Sequence, residues 1–463
     1  MRCLILAITA FLTSMSLASD LQETAMVVHS DAEPSDRFAS RVTIDGDRAA
    51  ITAPKSDDYG NDTGSAYIFE KQNGIWTEVA KLVPDDMTTN DRFGSSVSLD
   101  GDRLIVSAEY GWNMGSRSGC AYIYDRSAAG EWVQQTRISA WDAEAPDHFG
   151  AEVSLDGDTI WVAVPRDDDY RGSVRVFRRQ EDGAWPEIQR LDIPAEQESL
   201  FYGYSVSLQG DIGVVGAVGL EEYTGKTFVY KRDAAGIWNL HSTLTASDAA
   251  LDDRFGSYVA LDAGRLIIGA SEDDDLGESS GSAYIFEEDP DGNWNEVAKL
   301  TAVGGMPGDR FGRCVGISGD LVIVAAEESD LQKPNGGAAF TYRRGADGSW
   351  AYENTLIASD PAPGDFLSRR LSVSGNQAIL GSFRNDTAAG ADTGAAYLFQ
   401  LPEPPVVNCP EDLDGNMIVS IDDLLTVLND WGCSLNCSSD ISGDDRVDIE
   451  DLLRVIDAWG SCL

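Results

Sequence analysis

Two acid-rich loops near the end of the sequence have the residue types and spacing of a metal site. The first runs from Asp412 to Asp423, and the second, in the same register, runs from Asp440 to Asp451. Calcium takes six to eight hard oxygen ligands, which a 12-residue loop supplies from positions 1, 3, 5, 7, 9 and 12. The pattern predicts two calcium sites. The ligands would be Asp412, Asp414, Asn416, the Ile418 carbonyl, Ser420 and Asp423, and then Asp440, Ser442, Asp444, the Arg446 carbonyl, Asp448 and Asp451.

Each loop leads into a segment with helical periodicity. Apolar residues recur at i, i+3, i+4, i+7 and i+10, which predicts an amphipathic helix. The two stripes are Ile421, Leu424, Leu425, Leu428 and Trp431, and Ile449, Leu452, Leu453, Ile456 and Trp459. Position 6 of the loop turns through positive φ, and it holds Met417 in one copy and Asp445 in the other. Because aspartate tolerates that conformation better than methionine, we expect the second site to bind calcium more tightly.

Residues 409–463, with a loop and one helix twice over, resemble the type I dockerin of cellulosomal enzymes. The resemblance implies calcium-dependent binding to a cohesin-like or other extracellular protein. The flanking Trp-Gly pairs and cysteines suggest a disulfide-bearing variant. Four cysteines allow three pairings, and the sequence does not choose among them. They are Cys409, Cys433, Cys437 and Cys462.

Catalytic chemistry finds little support in the residues. The three histidines, His29, His148 and His241, stand in unlike positions, and no nucleophile motif, Cys-x-x-Cys pair or phosphate loop accompanies them. Paired carboxylates are able to hydrolyse glycosides, but no single pair stands out among so many acids. The remaining cysteines, Cys120 and Cys314, occupy strand positions and are expected to be buried. An enzyme is therefore unsupported by the sequence, although it is not excluded.

A repeat with a period of roughly 55 residues decides the architecture of the rest of the chain. Its marker is an aromatic residue, at Phe38, Phe93, Phe149, Tyr202, Phe255, Phe311 and Phe366. Each unit reads as four short strands, and the Asp-Gly-Asp turns and the Gly-x-Trp segments suit tight hairpins. Seven such units predict a seven-bladed β-propeller over residues 19–400. The last unit lacks a fourth strand, so we expect Glu23–Val28 to complete it and close the ring.

The repeated tryptophans, one per unit, admit two interpretations. They could form a carbohydrate-stacking ladder, but a single strand position repeated in every unit favours packing between neighbouring sheets. The set is Trp76, Trp132, Trp185, Trp238, Trp294 and Trp350.

With its Phe-Gly motif and its degenerate Gly-Ala-Pro counterpart, as at Thr52-Ala53-Pro54, the unit resembles the FG-GAP repeat of integrin α-subunit propellers. The resemblance covers about residues 21–400. In that family some blades carry a calcium loop between the first two strands. Here the same connection is a tight turn, so we do not expect calcium there.

Charge is expected to differ between the two faces of the propeller. The loops after each second strand share one face with the blade connections, and they carry acids that could concentrate divalent cations or a cationic ligand. The alternative is a solvated acidic surface that keeps the protein soluble. The acids are Asp57, Asp58, Glu109, Asp167–Asp169, Glu221, Glu222, Glu272–Asp275, Glu327, Glu328 and Asp386, with Asp85, Asp86, Asp142, Glu144, Asp252, Asp253 and Asp360 in the connections. The opposite face is expected to collect bases at Lys71, Arg126, Arg178, Arg179, Lys231, Arg232, Arg343 and Arg344.

The N-terminus and the overall charge define the compartment and exclude several functions. Arg2, the apolar run Leu4–Leu17 and the small residues ending at Ala18 read as a signal peptide over residues 1–18, too short to span a membrane as an anchor. With 78 acids, 34 bases and a net charge of −44, the protein would repel nucleic acid and anionic membranes. A proline-rich linker occupies residues 401–408.

The sequence therefore predicts a secreted all-β propeller with a small C-terminal α-helical, calcium-binding domain. Its function would be binding or adhesion without catalysis, with attachment to an extracellular partner through residues 409–463 and a glycan or cationic ligand on the acidic face. Two alternatives stay open. One is a polysaccharide-degrading hydrolase or lyase, or an accessory subunit of a cellulosome-like complex, and the other is a structural cell-surface component.

Overall fold

The repeats fold into seven antiparallel sheets that form a closed ring. A computed structural model describes residues 20–112, 118–142, 147–194, 201–219, 223–402, 413, 418–419, 421–431, 433, 439, 441–442, 446–457 and 460–461. The sequence prediction of a seven-bladed β-propeller is confirmed. The predicted signal peptide and residues 403–408 of the predicted linker lie outside the described residues.

The strands follow one another around the ring in chain order. The N-terminal strands are β1 (Asp20–Gln22) and β2 (Ala25–Val27). Blades one to three contain β3 (Arg41–Asp45), β4 (Arg48–Ala53), β5 (Ser65–Gln72) and β6 (Ile75–Leu82); β7 (Phe93–Asp100), β8 (Arg103–Ala108), β9 (Cys120–Arg126) and β10 (Trp132–Ile138); and β11 (Val153–Asp156), β12 (Thr159–Val164), the four-residue turn α1 (Asp167–Tyr170), β13 (Ser173–Arg178) and β14 (Glu187–Asp192).

The later blades repeat the same order. Blades four to seven contain β15 (Tyr202–Gln209), β16 (Ile212–Ala217), β17 (Lys226–Arg232) and β18 (Trp238–Leu244); β19 (Phe255–Asp262), β20 (Arg265–Ala270), β21 (Ser282–Glu288) and β22 (Trp294–Leu300); β23 (Phe311–Ser318), β24 (Leu321–Ala326), β25 (Ala338–Arg344) and β26 (Trp350–Ile357); and β27 (Arg370–Ser374), β28 (Gln377–Ser382) and β29 (Ala395–Gln400).

The N-terminal strands close the ring. Strand β2 pairs antiparallel with β29, with Ala25 opposite Leu398, and so completes blade seven as the sequence predicted. Strand β1 adds a contact that the sequence analysis missed, because it pairs in parallel with the outer strand β26 of blade six. One short N-terminal segment therefore joins the last two blades to each other, which removes the free edges of an open solenoid.

The apolar core is divided among the blade interfaces. Seven clusters of buried side chains each combine residues of two adjacent blades, and one of them joins blade seven to blade one through Leu398 and Phe38. The tryptophans belong to this packing: Trp238 is 2% exposed, and its ring lies 4.9 Å from that of Trp161 in the preceding blade. The sequence prediction that the tryptophans pack between sheets is confirmed, because all six lie in or against one of these clusters.

Backbone contacts join the blades at one end of the first strands. In blade two, the N–H of Phe93 donates to the carbonyl of Thr63 in blade one at 2.8 Å, and the same bond closes the ring between Phe38 and Thr393 at 2.8 Å. Gly64 follows Thr63 with φ of 85°, and a Cβ there would lie 2.1 Å from the carbonyl oxygen of Phe93. Only glycine allows so close an approach of two backbones.

Side chains join the blades at the other end. The last residue of each first strand accepts a hydrogen bond from the turn of the next blade, as when Gly101 N–H donates to Asp45 Oδ2 at 2.7 Å. Six further bonds complete the circuit, ending with Gly46 N–H to Ser374 Oγ at 3.1 Å. The turns between first and second strands are as short as predicted, with φ of 54° at Gly46.

Blade seven corrects the predicted repeat by one residue. The residue before the aromatic position has positive φ throughout the ring, as at Arg37 (56°), and in blade seven this residue is Phe366 (53°). Leu367, 2% exposed, fills the aromatic position instead. The prediction that Phe366 is the repeat marker is therefore wrong, because aromatic identity is a weaker guide than the backbone conformation that the blade junction requires.

Two helices follow the propeller in the C-terminal region. They are α2 (Ile421–Asn429) and α3 (Ile449–Asp457), and a short antiparallel pair, β30 (Ile418–Val419) and β31 (Gly460–Ser461), accompanies them. Val427 and Val455 occupy equivalent positions of the two helices and are buried in one cluster with Val447. Of the described helices, none has the length and apolar character that crossing a bilayer requires.

Candidate functional site

The structure describes half of the residues predicted to bind calcium. Ile418, Asp423, Ser442, Arg446, Asp448 and Asp451 are within the described residues. Asp412, Asp414, Asn416, Ser420, Asp440 and Asp444 lie outside them. The calcium sites therefore stay a prediction, although the carboxylate and hydroxyl groups of the described part are oxygen donors of the kind that calcium prefers.

The acids at loop position 12 have the same local role in both copies. Asp423 and Asp451 are fully buried, and each accepts a backbone N–H from the start of its own loop, Leu413 at 2.7 Å and Ile441 at 2.9 Å. Burial opposes ionisation of Asp451, but the backbone donors Asp448, Ser442 and Ile441 outweigh it and hold the pKa of that carboxyl below its usual value. The loop and the first turn of the helix are thus tied together in each copy.

Most of the predicted apolar stripe is exposed. Leu424 and Leu452 pack against the buried valines. The other described members face solvent, and their exposures are 59% for Ile421, 47% for Leu425, 46% for Leu428, 49% for Trp431, 62% for Ile449, 50% for Leu453 and 45% for Ile456. Trp459 lies outside the described residues. Within the described residues, the pair of helices buries a narrow valine seam and leaves these other apolar side chains exposed.

The cysteines separate into two groups. Cys120 and Cys314 are free and buried, as predicted. Cys433 is disulfide-bonded. Because Cys409, Cys437 and Cys462 lie outside the described residues, the pairing among the four stays open.

The loops after each second strand and the blade connections share one face of the propeller, as predicted. In four of the blades, a tyrosine near the start of the third strand marks this junction, because its hydroxyl reaches an acid in the blade connection. Tyr67 donates to Asp31 at 3.0 Å, and Tyr284 donates to Asp248 at 2.8 Å. The same bond joins Tyr122 to Asp86 and Tyr397 to Asp360. We call this side the mouth face.

A lysine occupies the acidic cluster of blade five. Asp248, Asp273 and Asp275 place carboxylate oxygens within 4.8 Å of one another, close enough to hold a metal ion. Lys299 Nζ lies 2.6, 3.1 and 2.5 Å from these three carboxylates. Burial lowers the pKa of the ammonium, but its hydrogen bonds to the carboxylates prevail and raise that pKa above its usual value. The lysine therefore provides the positive charge that a cation would otherwise bring.

Basic side chains also form ion pairs with other acids of the mouth face. In blade one, Lys81 bridges Asp31 and Asp58. Burial opposes ionisation of Asp31, but hydrogen bonds led by Lys81 lower the pKa of its carboxyl to about 2. In blade three, Arg175 lies 2.8 Å from Asp167 and 2.9 Å from Asp142. Much of the acidic character read from the sequence is thus neutralised within the chain. Glu144, Glu221 and Glu222 lie outside the described residues.

The opposite face, which we call the turn face, carries the predicted bases. Acids of neighbouring strands and turns pair with most of them. Arg126 lies 3.0 Å from Glu70, Arg232 lies 2.6 Å from Asp211, and Arg344 lies 2.7 Å from Glu287. The predicted bases do collect on the turn face, but acids from neighbouring strands and turns lie within bonding distance, so this face is an ion-pair network.

The first strands line a central channel, in which charged and tyrosine side chains of non-adjacent blades meet. Tyr258 and Arg41 both approach Glu152, at 3.5 and 3.8 Å, and Arg313 donates to Tyr204 at 3.3 Å. Sequence analysis missed this group. A signal was present, because arginine immediately precedes the aromatic position in four repeats, at Arg37, Arg92, Arg254 and Arg310.

The three histidines serve local structure. His29 is buried with Nδ1 3.1 Å from Asp31, His148 approaches Arg166 at 3.1 Å, and His241 contacts the carbonyl of Gly292 at 2.7 Å. Within the residues that the structure describes, they do not assemble a nucleophile, histidine and acid triad.

Comparison with known families explains the repeat. The FG-GAP repeat matches residues 21–69, 76–124, 132–177, 238–286, 294–342 and 350–399, which is more than half of the chain. The chain belongs to the FG-GAP repeat family. Each matched segment starts in or near the outer strand of one blade and ends in the third strand of the next, so the FG-GAP unit is offset by one strand from the blade. No curated protein matches the chain.

The family assignment is informative about the general role and location of the protein. An FG-GAP propeller fits a binding or adhesion domain, and FG-GAP repeats are typical of extracellular or surface proteins.

Proposed function

We propose that this FG-GAP protein is an exported, non-catalytic binding or adhesion protein. Its propeller would bind the ligand, and its C-terminal module would attach it to another extracellular protein in the presence of calcium. The fold and family support the binding part. The attachment rests on one observation, which is the exposed apolar surface of α2 and α3.

That surface has two related halves. Ile421 and Leu425 of α2 correspond to Ile449 and Leu453 of α3, at the same positions of the two copies. All four side chains are 47% to 62% exposed. Single exposed apolar residues are common on soluble proteins, but a patch contributed by two adjacent helices is typical of a protein interface. The partner would therefore present a complementary apolar surface.

Calcium would act on this surface through the loops. Asp423 and Asp451 each connect a loop to the first turn of a helix by a hydrogen bond to a loop N–H. An ion held by the loop would fix the helix that follows it, so that metal binding and the orientation of the apolar patch are coupled.

Calcium titration of the full chain tests the metal part. We expect two saturable sites by isothermal titration calorimetry. Asp448→Asn should remove one of them, because it withdraws a ligand from the second loop and leaves the bonds of Asp451 to Ile441 and Ser442 in place. Two unchanged sites in this variant, or no saturable binding by the original chain, would contradict the calcium assignment.

Capture by an immobilised cohesin domain tests the docking part. The full chain should be retained with calcium and released by a chelator. The double variant Leu425→Ser and Leu453→Ser should lose capture and keep both calcium sites. Ile75→Ser, at a propeller side chain that is 68% exposed, is the matched control and should leave capture unchanged. Equal capture of all three proteins would overturn the docking surface.

A further inference from the structure

A basic cavity opens at the channel mouth of this strongly acidic protein. Its volume is about 170 Å³, and five cationic side chains line it together with one acid, Glu109. The cations are Arg37, Arg41, Lys55, Arg92 and Arg369. They come from blades one, two and seven, so the cavity exists only in the closed ring.

The cations of the cavity have no close carboxylate partners among the described residues. Arg41 lies 3.8 Å from Glu152, and Arg369 lies 3.5 Å from Glu327. Lys55 and Arg92 share Asp62, each at 3.7 Å. Charge-assisted hydrogen bonds between such groups are normally about 2.7–2.9 Å long. The guanidinium N–H groups are therefore available to another acceptor.

Two donors in this cluster are buried without a partner. The Nε atoms of Arg41 and Arg92 are inaccessible to solvent and have no hydrogen-bond acceptor in the described part of the chain. An unpaired buried donor is rare in a folded protein and calls for an explanation such as a bound group. A ligand oxygen in the cavity would give the solvent-accessible guanidinium N–H groups of these two arginines an acceptor.

Several positively charged arginine side chains lie close together around the cavity. Burial lowers the pKa of Arg369 to about 10, and the neighbouring charges of Arg370, Arg313 and Arg41 add to this effect against the opposing pull of Glu327. The arginines remain charged at neutral pH and repel one another. A bound anion would relieve that repulsion.

The size of the cavity and the charge around it limit the ligand. Pockets for drug-sized molecules are typically about 300–1,000 Å³, so this cavity takes a smaller group. A net charge of −44 repels an extended polyanion, but salt screens that repulsion beyond roughly 8 Å at physiological ionic strength. A single compact anionic group can therefore reach the arginines.

We propose that the channel mouth is an anion-binding site, in which Arg37, Arg41, Arg92 and Arg369 take one compact oxyanion, a carboxylate or sulfate group. The planar guanidinium groups match the paired oxygens of such an anion. The inference rests on the proposed binding role of the propeller and adds the class of group that it takes.

Calorimetric titration of the full chain with sodium sulfate and with sodium glucuronate tests the site, at a constant ionic strength set with sodium chloride. Saturable binding with one site per chain is expected. Glucose is the uncharged match to glucuronate and should not bind. Binding of sulfate alone would identify a free inorganic anion as the ligand, and binding of glucuronate would extend the site to anionic sugars.

Variants place the binding at the mouth. Arg37→Gln and Arg369→Gln should each weaken binding at least about tenfold. Arg265→Gln on the turn face is the matched control and should bind as the original chain does. Circular dichroism confirms that each variant is folded. Absence of saturable binding by the original chain, or an equal loss in all three variants, would overturn the proposal. A chain that binds sulfate but is not captured by cohesin would contradict the attachment and leave the anion site standing.

Discussion

The two faces of the propeller both carry arginines at fixed positions of the repeat, but they use them differently. On the turn face, Arg48, Arg103 and Arg265 each reach an acid in the turn of the next blade, at 2.8, 2.8 and 3.0 Å. At the channel mouth, the ion pairs of the cavity are 3.5 to 3.8 Å long. Among the described residues, the arginines of the cavity thus lack the close carboxylates that the turn-face arginines have, and that Arg175 has elsewhere on the mouth face.

The difference follows from how the blades are joined. At the mouth, neighbouring blades are linked by backbone hydrogen bonds that require glycine, and the guanidinium groups of the cavity are not part of those links. On the turn face, side chains make the links, and the acids of the turns are positioned to receive both backbone and guanidinium donors. The turn-face arginines thus take part in the side-chain links that close the ring, whereas the guanidinium groups of the cavity lie where the backbone closes it.

The largest loss of stability is expected from substituting a glycine on the mouth face. Gly281→Ala would place Cβ 2.0 Å from the carbonyl oxygen of Phe311 at a φ of 81°. The blades must separate there, so we expect a loss of more than about 4 kcal/mol of unfolding free energy or failure to fold. Gly183→Ala has a similar φ of 85° and open space around Cβ, and it should cost only about 1–2 kcal/mol. Urea denaturation measures both, and equal costs would contradict the close-approach argument.

The second largest loss of stability is expected from breaking a buried ion pair on the mouth face. Asp167→Asn removes the 2.8 Å partner of Arg175, which is 1% exposed and keeps Asp142 at 2.9 Å and Glu187 at 3.2 Å, so it should cost about 2 kcal/mol at neutral pH. Burial opposes ionisation of Asp167, but bonds from Ser173 and Arg175 hold the pKa of that carboxyl below 3.8. Its stabilisation is therefore present above pH 3.8 and lost as pH falls through the lowered value.

Thermal melting at several pH values checks this prediction. The difference in melting temperature between the original chain and Asp167→Asn should be constant from pH 7 to pH 5 and should shrink below pH 3.8. Asp168→Asn is the control, because its side chain is 62% exposed, and it should change the melting temperature little. A difference that does not depend on pH would show that the carboxylate charge is not what matters.

Breaking a side-chain link between blades on the turn face should cost less stability. Asp100→Ala removes the acceptor of the 2.6 Å bond from Gly157 N–H and should cost about 1–2 kcal/mol. Asp100→Asn keeps an acceptor oxygen at the same place and should recover most of the loss. Urea denaturation compares the two variants, and an equal loss in both would attribute the effect to charge and not to the hydrogen bond.

The smallest effect is expected from an exposed ion pair of the same face. Asp320→Asn removes a partner of Arg265 whose side chain is 57% exposed, and it should cost less than about 1 kcal/mol. The cost should disappear at high salt, where surface charges are screened. Denaturation at low and high salt measures the difference, and a large cost that persists in salt would show that the turn-face ion pairs carry the ring.

Local structure was readable from the sequence because it depends on short-range physics. The alternation of apolar residues specifies strands, and the glycines of the turns specify hairpins, since only glycine adopts those φ values at low cost. The count of seven units and the missing fourth strand of the last one predicted the closure by the segment that contains Ala25–Val27. The one-residue error at Phe366 arose because aromatic identity was used where backbone conformation decides.

The chemistry of the two faces was decided only by tertiary structure. Lys81 and Asp31 are far apart in the sequence, and they meet because the connection that contains Asp31 lies against blade one. Arg41 and Arg369 stand at opposite ends of the propeller sequence and line one cavity because the ring closes. A count of charged residues gives the net charge of the chain. Which acids are neutralised, and which arginines can bind a ligand, depends on side-chain distances of a few ångströms. Those distances are fixed by the packing of all seven blades, and no local pattern encodes them.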